Sequence, residues 1–114
     1  MDELLMSQLC ALRVYYVTGV TSFTAIPGVF YRVDTTAASV TANLPPAASC
    51  QPGDWVIFKN VSGANSVIVT AYASGNTQEY IDLITTNTLT AGQRRQYFPA
   101  SAPGFYPTPG WSSF

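Results

Sequence analysis

Glu79 and Asp82 come closest in this chain to a catalytic constellation, since two neighbouring carboxylates can serve as acid and base in glycoside hydrolysis. Their spacing works against it: three residues apart on a strand, they project to opposite faces. Asp34 and Asp54 lie in turn-forming sequences, where bonding to nearby backbone accounts for an aspartate. The chain has no histidine. That removes the commonest general base, the commonest metal ligand and every Ser–His or Cys–His nucleophile pair. Cys10 and Cys50 are too few for a structural zinc site. No EF-hand spacing occurs. Gly104 and Gly110 sit among prolines, not between a strand and a helix as a phosphate-cradling loop requires. The expectation is a non-enzyme with no cofactor and no metal.

Binding is the chemistry that is left. Tyr72, Tyr80, Tyr97, Phe105, Tyr106 and Trp111 could offer flat faces to a sugar, although aromatics in such numbers more often bury area in a core or an interface. Arg94-Arg95 is the only basic pair and can grip a carboxylate on a neighbour, or lie solvated at a strand start. Charged residues make up only 10% of the chain against 47% hydrophobic ones, with net charge −1. A sequence pI of about 4.9 leaves no basic surface to track nucleic acid. So few charges suggest surface hidden against sister copies or a larger partner, with a Thr/Ser/Asn-rich wet surface as the alternative.

The N-terminus carries Asp2 and Glu3 where a secretion signal needs Lys or Arg, and Ser7-Gln8 breaks its apolar run. No stretch is apolar and long enough to span a membrane. Synthesis in a cytoplasm is expected, with Cys10 and Cys50 as free, buried thiols. The sequon Asn60-Val61-Ser62 is then without meaning for glycosylation.

These residues need elements to position them. Met1 to about Arg13 is the one expected helix, with Asp2 as cap and Leu5, Leu9 and Leu12 at i, i+4, i+7; Tyr16 continues that seam. It packs on its own domain or serves as an arm docking on a neighbour. Val14–Val17 is strongly β-prone, which leaves a strand as the alternative for this segment. From Gly19 the texture is β. Strands are expected over Val29–Val33, Ser39–Leu44 (Val40, Ala42 and Leu44 on one face), Trp55–Lys59 (buried on both faces), Ser66–Tyr72, Tyr80–Leu83, Thr88–Thr90 and Arg95–Phe98. Turns fall at Asp34-Thr35-Thr36, Pro52-Gly53-Asp54 and Ser74-Gly75-Asn76. From Pro99 the chain alternates prolines with Phe105, Tyr106, Trp111 and Phe114, which excludes regular pairing and predicts an extended strap. No internal repeat is evident. The expected fold is mainly β: a small antiparallel β-sandwich, barrel or jelly roll over residues 18–98, with a helix or arm over 1–17 and a strap over 99–114.

The order Tyr31-Arg32-Val33-Asp34-Thr35-Thr36, Val40-Thr41-Ala42-Asn43-Leu44-Pro45, Pro52-Gly53-Asp54-Trp55-Val56-Ile57-Phe58-Lys59-Asn60, then Val67-Ile68-Val69 resembles a module of tailed-bacteriophage virion proteins. In that family a "V-D-T-T…V-T-x-x-L-P" hairpin precedes a "G…I-x-F-K-x" strand and an "I-x-V" strand. The match covers residues 29 to 70. The resemblance implies a β-rich virion component, usually a homotrimer, found in tail fibres, head fibres and related surface proteins. The chain length of 114 residues favours a capsid decoration (cement) protein, with a fibre, tail or adhesin module as the alternative. The implied partners are sister copies and the major capsid protein; the implied place is the capsid surface. The expected contact residues are Leu5, Leu9, Leu12, Tyr16, Arg94, Arg95, Phe105, Tyr106, Trp111 and Phe114.

Overall fold

The computed structural model describes residues 13–51, 53–62, 64–100 and 110–114. The expected N-terminal helix, apart from Arg13, and the stretch 101–109 lie outside the described residues. With them go Leu5, Leu9, Leu12, Phe105, Tyr106 and Cys10.

The fold is mainly β, as expected, but its sheets are mixed and not purely antiparallel. Strands β1 (Arg13–Val17), β2 (Ser22–Thr24), β3 (Val29–Val33), β4 (Val40–Asn43), β5 (Val56–Asn60) and β6 (Val67–Thr70) alternate between two facing sheets. In one sheet β1, β3 and β5 run parallel; in the other, β2, β4 and β6 do. Each return to a sheet passes through the opposite one, so the chain winds in three stacked coils, as a flattened β-solenoid does. A short hairpin of β7 (Ala73–Ser74) and β8 (Thr77–Gln78) follows, turning at Gly75 with positive φ. Then β9 (Thr86–Leu89) closes one sheet antiparallel to β6, while β10 (Arg94–Ala100) and β11 (Gly110–Ser113) close the other beyond β5.

Two expectations need correcting here. The V-D-T-T…V-T-x-x-L-P stretch is not a hairpin, because β3 and β4 belong to different sheets and pair with different strands. The chain also does contain a repeat. Val29 pairs with Val56 and Val40 with Val67, the same step of 27 residues in each sheet (56 − 29 and 67 − 40). The connections 34–39 and 61–66 therefore match in length.

The alternation read from the sequence sets the inward faces. Val29, Tyr31 and Val33 of β3, Val40 and Ala42 of β4, and Val67 and Val69 of β6 are buried, together with Leu44 and Ala71. Phe58 of β5 stacks on Tyr31 at 5.7 Å and meets Tyr97 edge-on at 5.6 Å. Phe23 reaches across from β2 to Tyr31 at 5.0 Å, which joins the two sheets. Tyr15, Tyr31 and Phe58 occupy equivalent register positions, so each coil adds a ring to one aromatic ladder, buried at Tyr31 and Phe58 and exposed at Tyr15.

A polar node ties the coils together at their turns. The Thr35 hydroxyl donates to Asn60 Oδ1 at 2.9 Å. Asn60 Nδ2 donates to the carbonyls of Asn65 and Leu89 at 2.7 and 3.1 Å. Asn65 Nδ2 donates back to the Thr35 carbonyl at 2.7 Å. Thr35 and Asn60 are fully buried. The sequon nitrogen is thus already engaged inside the protein. At the surface, Asp34 forms the expected turn, accepting from the Thr36 N–H at 2.9 Å and from its hydroxyl. Those bonds, the hydroxyl first, hold its carboxyl below the ordinary range.

The C-terminal expectations change most. Tyr80–Leu83 is a turn and not a strand: Asp82 and Leu83 take positive φ, and Ile81 bridges Ile84. Pro99 is paired, opposite Trp111. Gln96 and Phe114 exchange both backbone bonds, so Pro99, three residues on, falls at a position whose nitrogen faces away from β11. The β5 pairing has already ended at Val56 opposite Tyr97, so no bond is lost there. Trp111 is 0% exposed, with its ring nitrogen donating to the Pro45 carbonyl at 3.2 Å. Gly110 before it is required, since a Cβ there would lie 2.7 Å from the Tyr80 carbonyl oxygen.

Candidate docking surface

Among the described residues, no further strand stacks on the outer side of the first coil. Its strands β1 and β2 are edge strands of their sheets, one above the other. At the opposite end β9 and β11 are the edge strands, and there Ile81 bridges the outer side of β11. Solenoids need polar caps at their ends. The β1–β2 end mixes exposed polar residues, Arg13 among them, with large apolar ones: Val14, Val20 and Ile26 are exposed, Tyr15 is 62% and Tyr16 66% exposed. Between them runs a cleft of about 430 Å³, floored by Phe23, Val29 and Tyr31. Two edge strands with no further partner strand among the described residues, beside large exposed side chains, form a surface suited to docking.

Of the expected contact residues, Tyr16 belongs to this end, on β1 and not on a helix. Phe114 is 82% exposed and packs edge-on against Phe98 at 5.7 Å. Trp111 is not available, being in the core. Tyr97 is fully buried too, its hydroxyl donating to Asn87 Oδ1 at 3.0 Å, and burial raises its pKa. Neither can offer a ring to a sugar. Arg94 and Arg95 do not act as a pair: as neighbours on β10 they project to opposite faces, and Arg95 donates to the Ser113 hydroxyl at 3.2 Å. Val14, Tyr15, Val20 and Ile26 were not singled out from sequence. The β propensity of Val14–Val17 was the available signal, and it points to a strand without saying that the strand is an edge.

Among the described residues, no group of three or more Cys, Asp or Glu is arranged to hold a metal ion. The carboxylates stand apart in role. Asp82 accepts from the Ser113 hydroxyl at the surface. Glu79 is 3% exposed, and both its oxygens accept from the Ala47 N–H, at 2.9 and 3.2 Å. Burial pushes its carboxyl above the ordinary range, the Ala47 N–H pulling it part of the way back. Cys50 is a free thiol, half-buried against the core, and burial raises its pKa as well.

Glu79 has a consequence for stability. A carboxyl that holds its proton more tightly folded than unfolded gives fullest stability below its ordinary pKa. Stability then falls as pH rises from that value through the raised one. Glu79→Gln keeps an acceptor for Ala47 and removes the charge. Its thermal midpoint should exceed that of the wild type at pH about 8, with the difference vanishing near pH about 4. Equal midpoints at both pH values would mean that burial of the charge costs nothing.

No protein family model matches the sequence, and no curated protein matches it.

Proposed function

We propose that this chain is a structural virion protein: a homotrimeric capsid decoration protein that binds and stabilises the lattice of the major capsid protein, with no catalytic role. The observation that carries this reading is the group of large exposed apolar side chains on and beside the edge strands β1 and β2. A coil end with exposed Tyr15, Tyr16, Val20 and Ile26 calls for a protein surface to cover it. The low charge of the chain fits a molecule that spends its working life in contact.

The mechanism is linkage. A ligand that binds only the assembled lattice stabilises it by its own binding free energy, and a trimer engaging three sites gains avidity from effective concentration. The aromatic contacts between the two sheets pack the described strands on one core, which keeps the ordering cost of the docking step small.

The parallel winding favours a second reading, a module of a tail or head fibre, because stacked coils extend naturally along a shaft. Antibody to the purified chain separates the two on intact particles: label over the shell supports decoration, label confined to tails or fibres supports the alternative. Both readings require association, which the solution mass of the purified chain tests.

A further inference from the structure

The outer face of the sheet containing β3 and β5 holds a second feature, built by register and invisible in the linear sequence. Tyr16, Arg32, Lys59 and Arg94 lie side by side on four adjacent strands. Three of the five cations of the chain therefore stand in one row. With strands about 4.8 Å apart, the row spans roughly 10 Å. Like charges directly opposite one another across strands are destabilising unless a counter-charge is supplied. The partners of Arg32 and Arg94 among the described residues are rings: Arg32 lies over Tyr16 at 5.4 Å and Arg94 over Phe30 at 5.8 Å. Arg32 Nε is buried and has no hydrogen-bond partner. Phe30, Phe98 and Phe114 share this face with the row, Phe114 almost fully in solvent.

We propose that this face is a docking site for an extended acidic segment of a partner protein, whose carboxylates pair with the Arg32–Lys59–Arg94 row while its apolar side chains pack on Phe30, Phe98 and Phe114. The inference rests on the docking role given above and names the chemistry of one partner surface. Charge complementarity selects the occupant. Side chains on one face of an extended segment recur about every 7 Å, so two carboxylates on alternate residues cover the row. A nucleic acid would ask for a broad basic surface, whereas here the net charge is −1 and the cations are confined to one line flanked by rings.

The test uses the full chain, ¹⁵N-labelled, and a synthetic ten-residue peptide with Phe-Ser-Glu-Thr-Glu-Ser-Phe at its centre, which puts both carboxylates and both rings on one face of an extended segment. Saturable binding is expected, with amide shifts concentrated around Arg32, Lys59 and Arg94. Lys59→Gln/Arg94→Gln should weaken it at least about tenfold, and a Gln-for-Glu peptide should not bind. If the double variant does not fold, Arg94→Gln alone, at an exposed position, should still weaken binding several-fold. No saturable binding, shifts confined to other surfaces, affinity unchanged in these variants, or tighter binding to a single-stranded oligonucleotide of equal charge would each overturn the proposal. Light scattering on the same samples separates the claims. A trimer that ignores the peptide overturns this inference alone, while a monomer that binds it overturns the trimeric assembly alone.

Discussion

Phe58→Ala is expected to cost about 3–5 kcal/mol, the usual range for emptying a buried aromatic site. Phe58 is fully buried on β5, between β3 and β10, and touches the rings of Phe23, Tyr31 and Tyr97. Removing it takes the third-coil ring out of the aromatic ladder and leaves a cavity whose walls are held by β-sheet on both sides. Against a total stability of about 5–15 kcal/mol, the variant should be largely unfolded by 37 °C or lose on the order of 15 °C in thermal midpoint. Tyr16→Ala, at an exposed site of the same sheet, should stay within about 0.5 kcal/mol as long as the chain is monomeric. Urea unfolding followed by tryptophan fluorescence measures both. A Phe58→Ala loss below about 1 kcal/mol would contradict the stacked-coil core.

The second large effect belongs to Asn60. Its side chain holds the second coil through Thr35, the third through Asn65 and the closing strand β9 through Leu89. Asn60→Ala leaves the Leu89 carbonyl short of a donor inside the protein. Each unsatisfied buried group costs about 1–3 kcal/mol, so a loss of about 2–4 kcal/mol is expected. Asn60→Asp should be worse, since it turns an ionised oxygen towards two carbonyls. A double-mutant cycle with Thr35→Val should show coupling above about 0.5 kcal/mol, because the two side chains share a bond. Additive losses would mean that the node is not a unit.

Much of the local structure was legible in the residues. The alternation of Val40, Ala42 and Leu44 and of Val67, Val69 and Ala71 marked inward faces that are indeed buried. The continuous apolar run at Val56–Phe58 marked a central strand. Asp34 and Gly75 marked their turns. The winding was not legible, because a period of two looks the same whether a strand's neighbour is its hairpin partner or the next coil. The 27-residue step is also hard to see in sequence. It is carried by Val29 and Val56, Arg32 and Lys59, and Val40 and Val67, while the inward Val33 is answered by a buried Asn60.

The C-terminus shows the opposite failure. Sequence alone makes Pro99 a barrier to pairing, but strand register places its nitrogen where no bond is needed. Trp111 therefore returns to the core and leaves the list of contact residues. The two proposed docking surfaces were legible least of all. Arg32, Lys59 and Arg94 are far apart in sequence and meet only through two strand pairings. Arg94-Arg95, adjacent in sequence, is separated by the pleat of β10.

The central claim is that the β1–β2 end of the coil works in contact with protein. Multi-angle light scattering of the purified chain over a wide concentration range tests it most directly. The expected mass is three times the 12.3 kDa of one chain, falling to a single chain's mass in Tyr15→Ser/Tyr16→Ser without loss of folded structure. A wild-type chain that stays at one copy at every concentration, with Tyr15 and Tyr16 open to solvent, would contradict the account.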